Sequence, residues 1–242
     1  MSDSSPRKRA IITGASSGIG RATALAFAEA GIDIALVSRS EPKLKAVVDA
    51  VQQTGVEAKA YGVDLAQVDQ VKAELAAIAA DFYPIDILVN NAGMGYTGQL
   101  ADTPLADWQQ VMDLNLTSAF QCILGVLPQM RDRHTGTILN VASVAGKTPF
   151  PGWGAYSVSK AGLIALSKTL AAEERSNGIR VVAFSPGAVN TPIWDTDTVQ
   201  ADFNRAAMLT PEIVAQSILH TVLLPEQAVV EDITLMPSGG SL

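Results

Sequence analysis

One cysteine, Cys122, and two histidines, His134 and His220, are all that this chain of 242 residues offers toward thiol or imidazole chemistry. A lone cysteine excludes an intrachain disulfide and a cysteine-rich metal site, and two histidines argue against a histidine metal cluster. Basic residues are also scarce. The 17 Lys and Arg against 24 Asp and Glu leave a net charge of −7, which argues against broad nucleic-acid binding, because phosphate backbones need a concentrated basic face. The only basic run, Arg7-Lys8-Arg9, closes a polar stretch, SDSSPRKR, and the apolar AII behind it is too brief for a signal-peptide core. No uninterrupted apolar run approaches the roughly 18 residues of a membrane span. These absences point to a cytoplasmic protein with neither nucleic acid nor membrane as partner.

What is present is a core. At 48% hydrophobic and 17% charged, the chain suits one large α/β domain over residues 1–242, with 1–8 as a polar tail. Short β-branched runs recur at Arg9 to Thr13, Asp33 to Ser38, Ala58 to Val63, Ile85 to Asn90, Gly136 to Ala142, Arg180 to Ser185 and Asp232 to Met236. Amphipathic helical patterns separate them, at Arg21 to Ala30, Pro42 to Thr54, Val68 to Phe82, Leu105 to Arg131, Ala155 to Asn177 and Pro211 to Leu223. That alternation predicts a doubly wound parallel sheet of the Rossmann type, covered on both faces, with ligands at the carboxyl ends of its strands. The irregular stretch 187–209 is long for a compact domain, and such segments usually serve as lids.

Between the first strand and the first helix lies TGASSGIG, Thr13 to Gly20. Gly14 permits a sharp turn, Gly18 and Gly20 permit close backbone approach, and the helix N-terminus offers unpaired N–H groups to a pyrophosphate. No lysine follows Gly20, which removes an ATP-type phosphate loop; a plain glycine-rich turn is the other reading. An acidic residue that grips a ribose 2′-hydroxyl belongs at the end of the second strand, but Ser38-Arg39-Ser40 stands there. A guanidinium flanked by hydroxyls suits a 2′-phosphate, so NADP is favoured over NAD unless Arg39 is only a solvated surface residue.

Tyr156 and Lys160, in YSVSK, stand at i and i+4 of a helical pattern and project from one face. A neighbouring ammonium stabilises a phenolate and brings tyrosine toward the range where proton transfer is efficient, although a surface Tyr/Lys pair has the same spacing. Ser143 ends the strand TILNVAS, Asn90-Asn91-Ala92-Gly93 ends the fourth strand, Asn115 sits in a helical stretch, and Pro186-Gly187 ends the sixth strand and leads to Thr191.

Taken together, these motifs resemble the short-chain dehydrogenase/reductase family over nearly the whole chain. The resemblance implies a seven-stranded parallel sheet with three helices on each face, holding a nicotinamide dinucleotide. It implies that Tyr156 is the acid/base, that Ser143 hydrogen-bonds the substrate oxygen, and that Lys160 holds the nicotinamide ribose and lowers the pKa of Tyr156. Asn115 would position a relay water. Asp64 and Leu65 correspond to adenine contacts; Ser16, Ser17, Ile19, Asn91, Ala92, Gly93, Pro186, Gly187, Val189 and Thr191 correspond to residues along the cofactor. Many NADP-using members carry a basic residue where this chain has Ser17, so cofactor choice rests mainly on Arg39 and use of both dinucleotides stays open.

The chemistry so implied is hydride transfer between NADP(H) and a carbonyl or secondary alcohol, without metal. Met94, Tyr96, Phe150, Trp153, Trp194, Phe203 and Met208 predict an apolar substrate side, unless they only pack the loops. Among relatives, the chain is most similar to 3-oxoacyl-carrier-protein reductases; reductases of sterols, sugars or xenobiotic carbonyls are the alternative, and a dinucleotide sensor without turnover is a different class. Arg131, Arg133 and Arg175, near helix ends, are candidates for meeting an acidic carrier, though they also suit the helix dipole. The family usually forms homodimers or homotetramers, and the two longest helical patterns are the candidate contact faces.

Overall fold

The structure, a computed structural model, describes residues 7–240; the expected polar tail therefore falls outside it as far as residue 6. Strands β1 (Arg9–Thr13), β2 (Asp33–Ser38), β3 (Ala58–Gly62), β4 (Ile87–Asn90), β5 (Gly136–Val141), β6 (Ile179–Pro186) and β7 (Asp232–Leu235) form one sheet in the order β3-β2-β1-β4-β5-β6-β7. Every pairing is parallel. The helices are α1 (Gly18–Glu29), α2 (Glu41–Gln52), α3 (Val68–Asp81), α4 (Leu105–Met112), α5 (Ser118–Arg133), α6 (Gly154–Glu174) and α7 (Pro211–Val222).

The five inner strands read as near-continuous apolar runs because both faces are covered, whereas the edge strands β3 and β7 alternate and stay partly exposed. In β1, Ala10 and Ile12 join the core beneath α1, α2 and α7, while Ile11 between them joins the core beneath α3, α5 and α6. This is the two-residue alternation of a pleated strand with helices on either side. Two close helix crossings complete the layers. Ala22, Ala26 and Ala215 let α1 meet α7, and Gly125 lets α5 meet α3, where a Cβ would lie 2.8 Å from the Leu75 Cβ and from the Lys72 carbonyl oxygen.

The order of strands reverses between β1 and β4, so their carboxyl ends open a crevice between diverging connections. Two expected elements differ in a way that bears on it. The helix expected over Leu105 to Arg131 is interrupted by a π-turn at Asp113–Thr117 and continues to Arg133; an i+5 bond from the Ser118 N–H to the Asp113 carbonyl accommodates the extra residue. The combined run Leu105–Arg133 is long and apolar enough to cross a bilayer by length and composition, yet half of its apolar 18-residue stretch is buried inside the fold. The helix expected over Ala155 to Asn177 closes at Glu174 into a 3₁₀ turn, Arg175–Asn177, and the left-handed Gly178 then feeds β6.

Candidate active site

The phosphate-side loop is pinned before any ligand arrives. Gly14, at φ +64°, turns the chain at the end of β1. The Thr13 hydroxyl accepts from the N–H groups of Asn91 (3.0 Å) and Ala92 (3.1 Å). In return the Asn91 amide donates to the carbonyls of Thr13 (2.9 Å) and Gly14 (3.3 Å). A side chain at Gly20 would penetrate the Gly14 carbonyl and approach Asn91 Nδ2 to 2.6 Å. Ser17 precedes α1 in extended conformation without a side-chain cap bond, which leaves first-turn N–H groups of α1 to a ligand.

The crevice has a volume of about 680 Å³. Gly14, Ser16, Ser17, Gly18, Ile19, Ser38, Arg39, Leu65, Asn91, Ala92, Gly93, Ser143, Tyr156, Lys160, Pro186, Gly187, Val189 and Thr191 all line it. Gly20 and Asn115 lie behind its wall. Asp64 stands at the rim, in a neighbouring shallow hollow, with its carboxylate 3.9 Å from the Arg39 guanidinium. Arg39 is 70% exposed, so this ion pair is weak and water-screened. Ser38 donates to the Ser16 hydroxyl at 2.9 Å, joining the end of β2 to the glycine loop. Lys43, one turn into α2, adds a second cation to this wall. Its helical position carried no motif, so only the folded chain reveals it.

At the floor, Ser143 N-caps a short turn after β5, its hydroxyl accepting from the Ala145 N–H at 3.1 Å. Tyr156 and Lys160 come from the first two turns of α6. Burial pushes the Tyr156 phenol above its ordinary pKa, and the hydrogen-bonded Ser143 acts in the opposite direction. The expected lowering by Lys160 is therefore not the ruling effect in the free protein. Lys160 Nζ donates to the Val141 carbonyl at 2.8 Å, sits 5.8 Å from the Tyr156 ring centre, and is itself pushed down to about 8 by burial.

Asn115, brought under this floor by the π-turn, uses both ends of its amide for structure. Oδ1 accepts from the Met94 N–H (2.8 Å), and Nδ2 donates to the Met94 carbonyl (2.9 Å) and the Ser159 hydroxyl (3.1 Å). It thus ties α6 to the chain leaving β4. Deeper still, Asn90 donates to Asn140 (2.8 Å) and Asn140 to Ser167 (2.9 Å), a buried polar ladder across β4, β5 and α6.

Lys160 makes a sign-definite prediction. Its pKa falls from 10.5 in the unfolded chain to about 8 in the fold, so the unfolded state binds more protons between these values and stability should rise with pH across that window. Lys160→Met should abolish this rise and, near pH 7, raise unfolding stability by roughly 3 kcal/mol at most. Denaturant unfolding of both proteins at pH 7, 9 and 10.5 measures it; parallel pH profiles would show that Lys160 is not destabilised by burial.

The segment 187–209 folds over the crevice with two 3₁₀ turns, Pro192–Asp195 and Arg205–Ala207. It is fastened to the loop after β4 through Thr97 N–H to the Thr198 carbonyl (2.9 Å), Thr198 Oγ1 to the Gly95 carbonyl (2.8 Å) and Gln200 N–H to Thr97 Oγ1 (2.7 Å). Met94, Phe150, Trp153, Trp194 and Phe203 reach the crevice, whereas Tyr96 turns to Asp107 (2.9 Å) and Met208 is buried outside it. Arg131, Arg133 and Arg175 are not brought to this site. They lie at the opposite edge of the sheet and pair with Glu174, Asp86 and Glu231 respectively.

With this geometry in view, the comparisons with known proteins agree. Residues 8–201 match the short chain dehydrogenase family. The chain is 39% identical over 189 residues to 3-oxoacyl-[acyl-carrier-protein] reductase FabG of Staphylococcus aureus, covering 78% of this chain and 77% of that one. It is 38% identical over 237 residues to 3-oxoacyl-[acyl-carrier-protein] reductase of Synechocystis sp., covering 96% and 95%. An alcohol dehydrogenase from the archaeon Thermococcus sibiricus, solved with 5-hydroxy-NADP, superposes with a TM-score of 0.88 at 27% identity, over 96% of this chain and 97% of that one. A metagenomic short-chain oxidoreductase solved with NADP superposes with a TM-score of 0.83 at 29% identity, over the same shares.

Proposed function

The chain belongs to the short chain dehydrogenase family, and on that premise we propose that it is an NADP-dependent oxidoreductase acting on the carbonyl of a 3-oxoacyl thioester or a small apolar ketone. The observation that carries the reading is the convergence of Ser143, Tyr156 and Lys160 on one crevice floor, with Asn115 bracing it from behind. The close-packed cradle at Gly14 and Gly20, and the cations of Arg39 and Lys43 on the same wall, fit a dinucleotide with a 2′-phosphate.

When bound, the reduced nicotinamide supplies a hydride to the carbonyl carbon. Tyr156, held protonated by burial, gives its proton to the developing alkoxide, and the Ser143 hydroxyl donates a hydrogen bond to the same oxygen. Lys160 anchors the ribose side and, titrating near pH 8, re-supplies a proton to the phenol. Asn115 holds α6 in position through its amide, and the second lone pair of its Oδ1 is available to a relay water. The 187–209 segment acts as the substrate-side lid. We read the enzyme as soluble and cytoplasmic.

Mixing the protein with NADPH and a panel of 3-oxoacyl thioesters and ketones, and following nicotinamide absorbance, tests the reading. Loss of absorbance with these carbonyls is expected. Tight NADPH binding with no turnover of any carbonyl would replace it by the sensor class.

The same reading includes a homodimer or homotetramer. Phe120, Leu124 and Pro128 recur at i, i+4, i+8 on the outward side of α5, and Val158, Ala161, Ala165 and Ala172 stand at i, i+3, i+7, i+14 on α6. A two-fold axis across these stripes runs the copies antiparallel and buries both. It would also carry the partner's α5 end, with its arginines, toward this protomer's crevice, the arrangement in which an acidic carrier could serve the site. Light scattering at micromolar concentration should give at least a dimer, and Phe120→Glu with Ala165→Glu should give monomers. A monomeric wild type would remove this part of the proposal.

A further inference from the structure

Beyond Tyr156, the crevice is walled by rings. Trp153 meets Tyr156 edge-to-face with centroids 5.5 Å apart and planes at 68°. Trp194 meets Trp153 at 5.8 Å and 70°, and Phe203 meets Trp194 at 5.5 Å and 87°. The two indoles are also fixed from outside this chain of contacts. Trp153 lies in a parallel bridge with Gly98, whose N–H donates to the Gly152 carbonyl at 2.8 Å. The Trp194 indole N–H donates to the Val189 carbonyl at 2.7 Å.

Exposure separates these rings from the core aromatics. Phe27, Phe82 and Phe184 are fully buried, whereas Trp153, Trp194 and Phe203 each keep part of their surface open and line the crevice. Charge is distributed just as unevenly. Among the described residues, the charged side chains lining the crevice are Arg39, Lys43 and Lys160. The first two stand beyond β2 at the far end, and Lys160 lies beneath the floor, bonded to Val141. Among the described residues, no charged side chain lines the ring side of the crevice; Arg205, behind it, is paired with Asp195.

We propose that the crevice selects an uncharged ketone with an aromatic ring attached at the carbonyl, the ring seated against Trp153 and Trp194 while the oxygen reaches Tyr156 and Ser143. This names the substrate class of the activity proposed above and rests on that reading. A ligand ring extends an edge-to-face series that already ends at the proton donor, and each such contact favours an aryl over an alkyl group of equal area on the order of three- to tenfold. The wall is held in place before binding, so little side-chain ordering offsets the gain. A carboxylate on the same ring would be stripped of water with no partner.

The experiment reads binding, not turnover. Phenyl methyl ketone, cyclohexyl methyl ketone and 2-octanone have equal carbon counts; each is titrated calorimetrically into the enzyme saturated with NADP⁺, which cannot reduce them. The aryl ketone is expected to bind about tenfold more tightly than the two saturated ones, and its 4-carboxy derivative at least about tenfold more weakly than the parent. Trp194→Ala should remove most of the aryl preference, and Trp194→Phe should retain most of it; Phe203→Leu gives a second, milder variant should the first fail to fold. Equal binding of the three ketones by the wild type, equal binding of the carboxylate, or a preference that survives both Trp194→Ala and Phe203→Leu would overturn the proposal. An enzyme that binds the aryl ketone selectively but never reduces it with NADPH would leave this selectivity standing and sink the reductase reading instead.

Discussion

Tyr156→Phe is expected to lower kcat by about 10²- to 10⁴-fold, the range of positioned acid–base catalysis, while NADPH binds as it does to the wild type. The substitution removes only a hydroxyl. The ring, its edge-to-face contact with Trp153 and the course of α6 all stay. No other group on the crevice floor can replace the proton: Ser143 is a far weaker acid, and Lys160 points to the Val141 carbonyl. Steady-state kinetics and a fluorescence titration with NADPH separate chemistry from binding. A variant retaining more than about a tenth of the wild-type kcat, a loss below about 1.4 kcal/mol, would show that Tyr156 is not the proton donor.

The second large effect is on cofactor choice. A guanidinium beside a 2′-phosphate supplies a charge-assisted hydrogen bond of roughly 1.5–3 kcal/mol, a preference for NADPH over NADH of about ten- to hundredfold in kcat/KM. Arg39 can supply it because its tie to Asp64 at 3.9 Å is exposed and readily exchanged. Lys43 stands on the same wall, so Arg39→Ala alone should retain part of the preference. Ser38→Asp with Arg39→Ala should invert it, since a carboxylate at the end of β2 repels the phosphate and accepts from the ribose hydroxyl of NADH. A wild type that prefers NADH, or a ratio unmoved by the double substitution, would reduce Arg39 to a surface residue.

Much of the fold was legible because its signals are local. The seven runs became the seven strands; the five inner ones are continuous apolar runs because a doubly covered strand needs them, and the edge strands β3 and β7 showed through alternation. TGASSGIG and YSVSK carried their geometry in their spacing. The π-turn at Asp113–Thr117 had no such signal: its Asn, Leu and Thr are compatible with plain helix, and the bond pattern depends on what Asn115 must reach across from α6. The raised pKa of Tyr156 was equally hidden, because spacing gives the neighbour but not the depth of burial that outweighs it. The aromatic residues were visible as a group in the sequence. Their sorting was not, for Tyr96 leaves the set only because Asp107 lies within 2.9 Å of its hydroxyl.

The four hydrogen bonds that lock Thr13, Gly14, Asn91 and Ala92 together have a thermodynamic consequence. The two half-sheets meet at this clasp, so the dinucleotide side is held rigid by its own bonds and should lose little conformational entropy to an incoming ligand. The opposite wall hangs on a 23-residue strap, 187–209, held by a handful of loop contacts. Loading of the first side should therefore be enthalpy-led with a small heat-capacity change, whereas filling the second, walled by Trp153, Trp194 and Phe203, should carry the negative heat-capacity change of apolar surface removed from water.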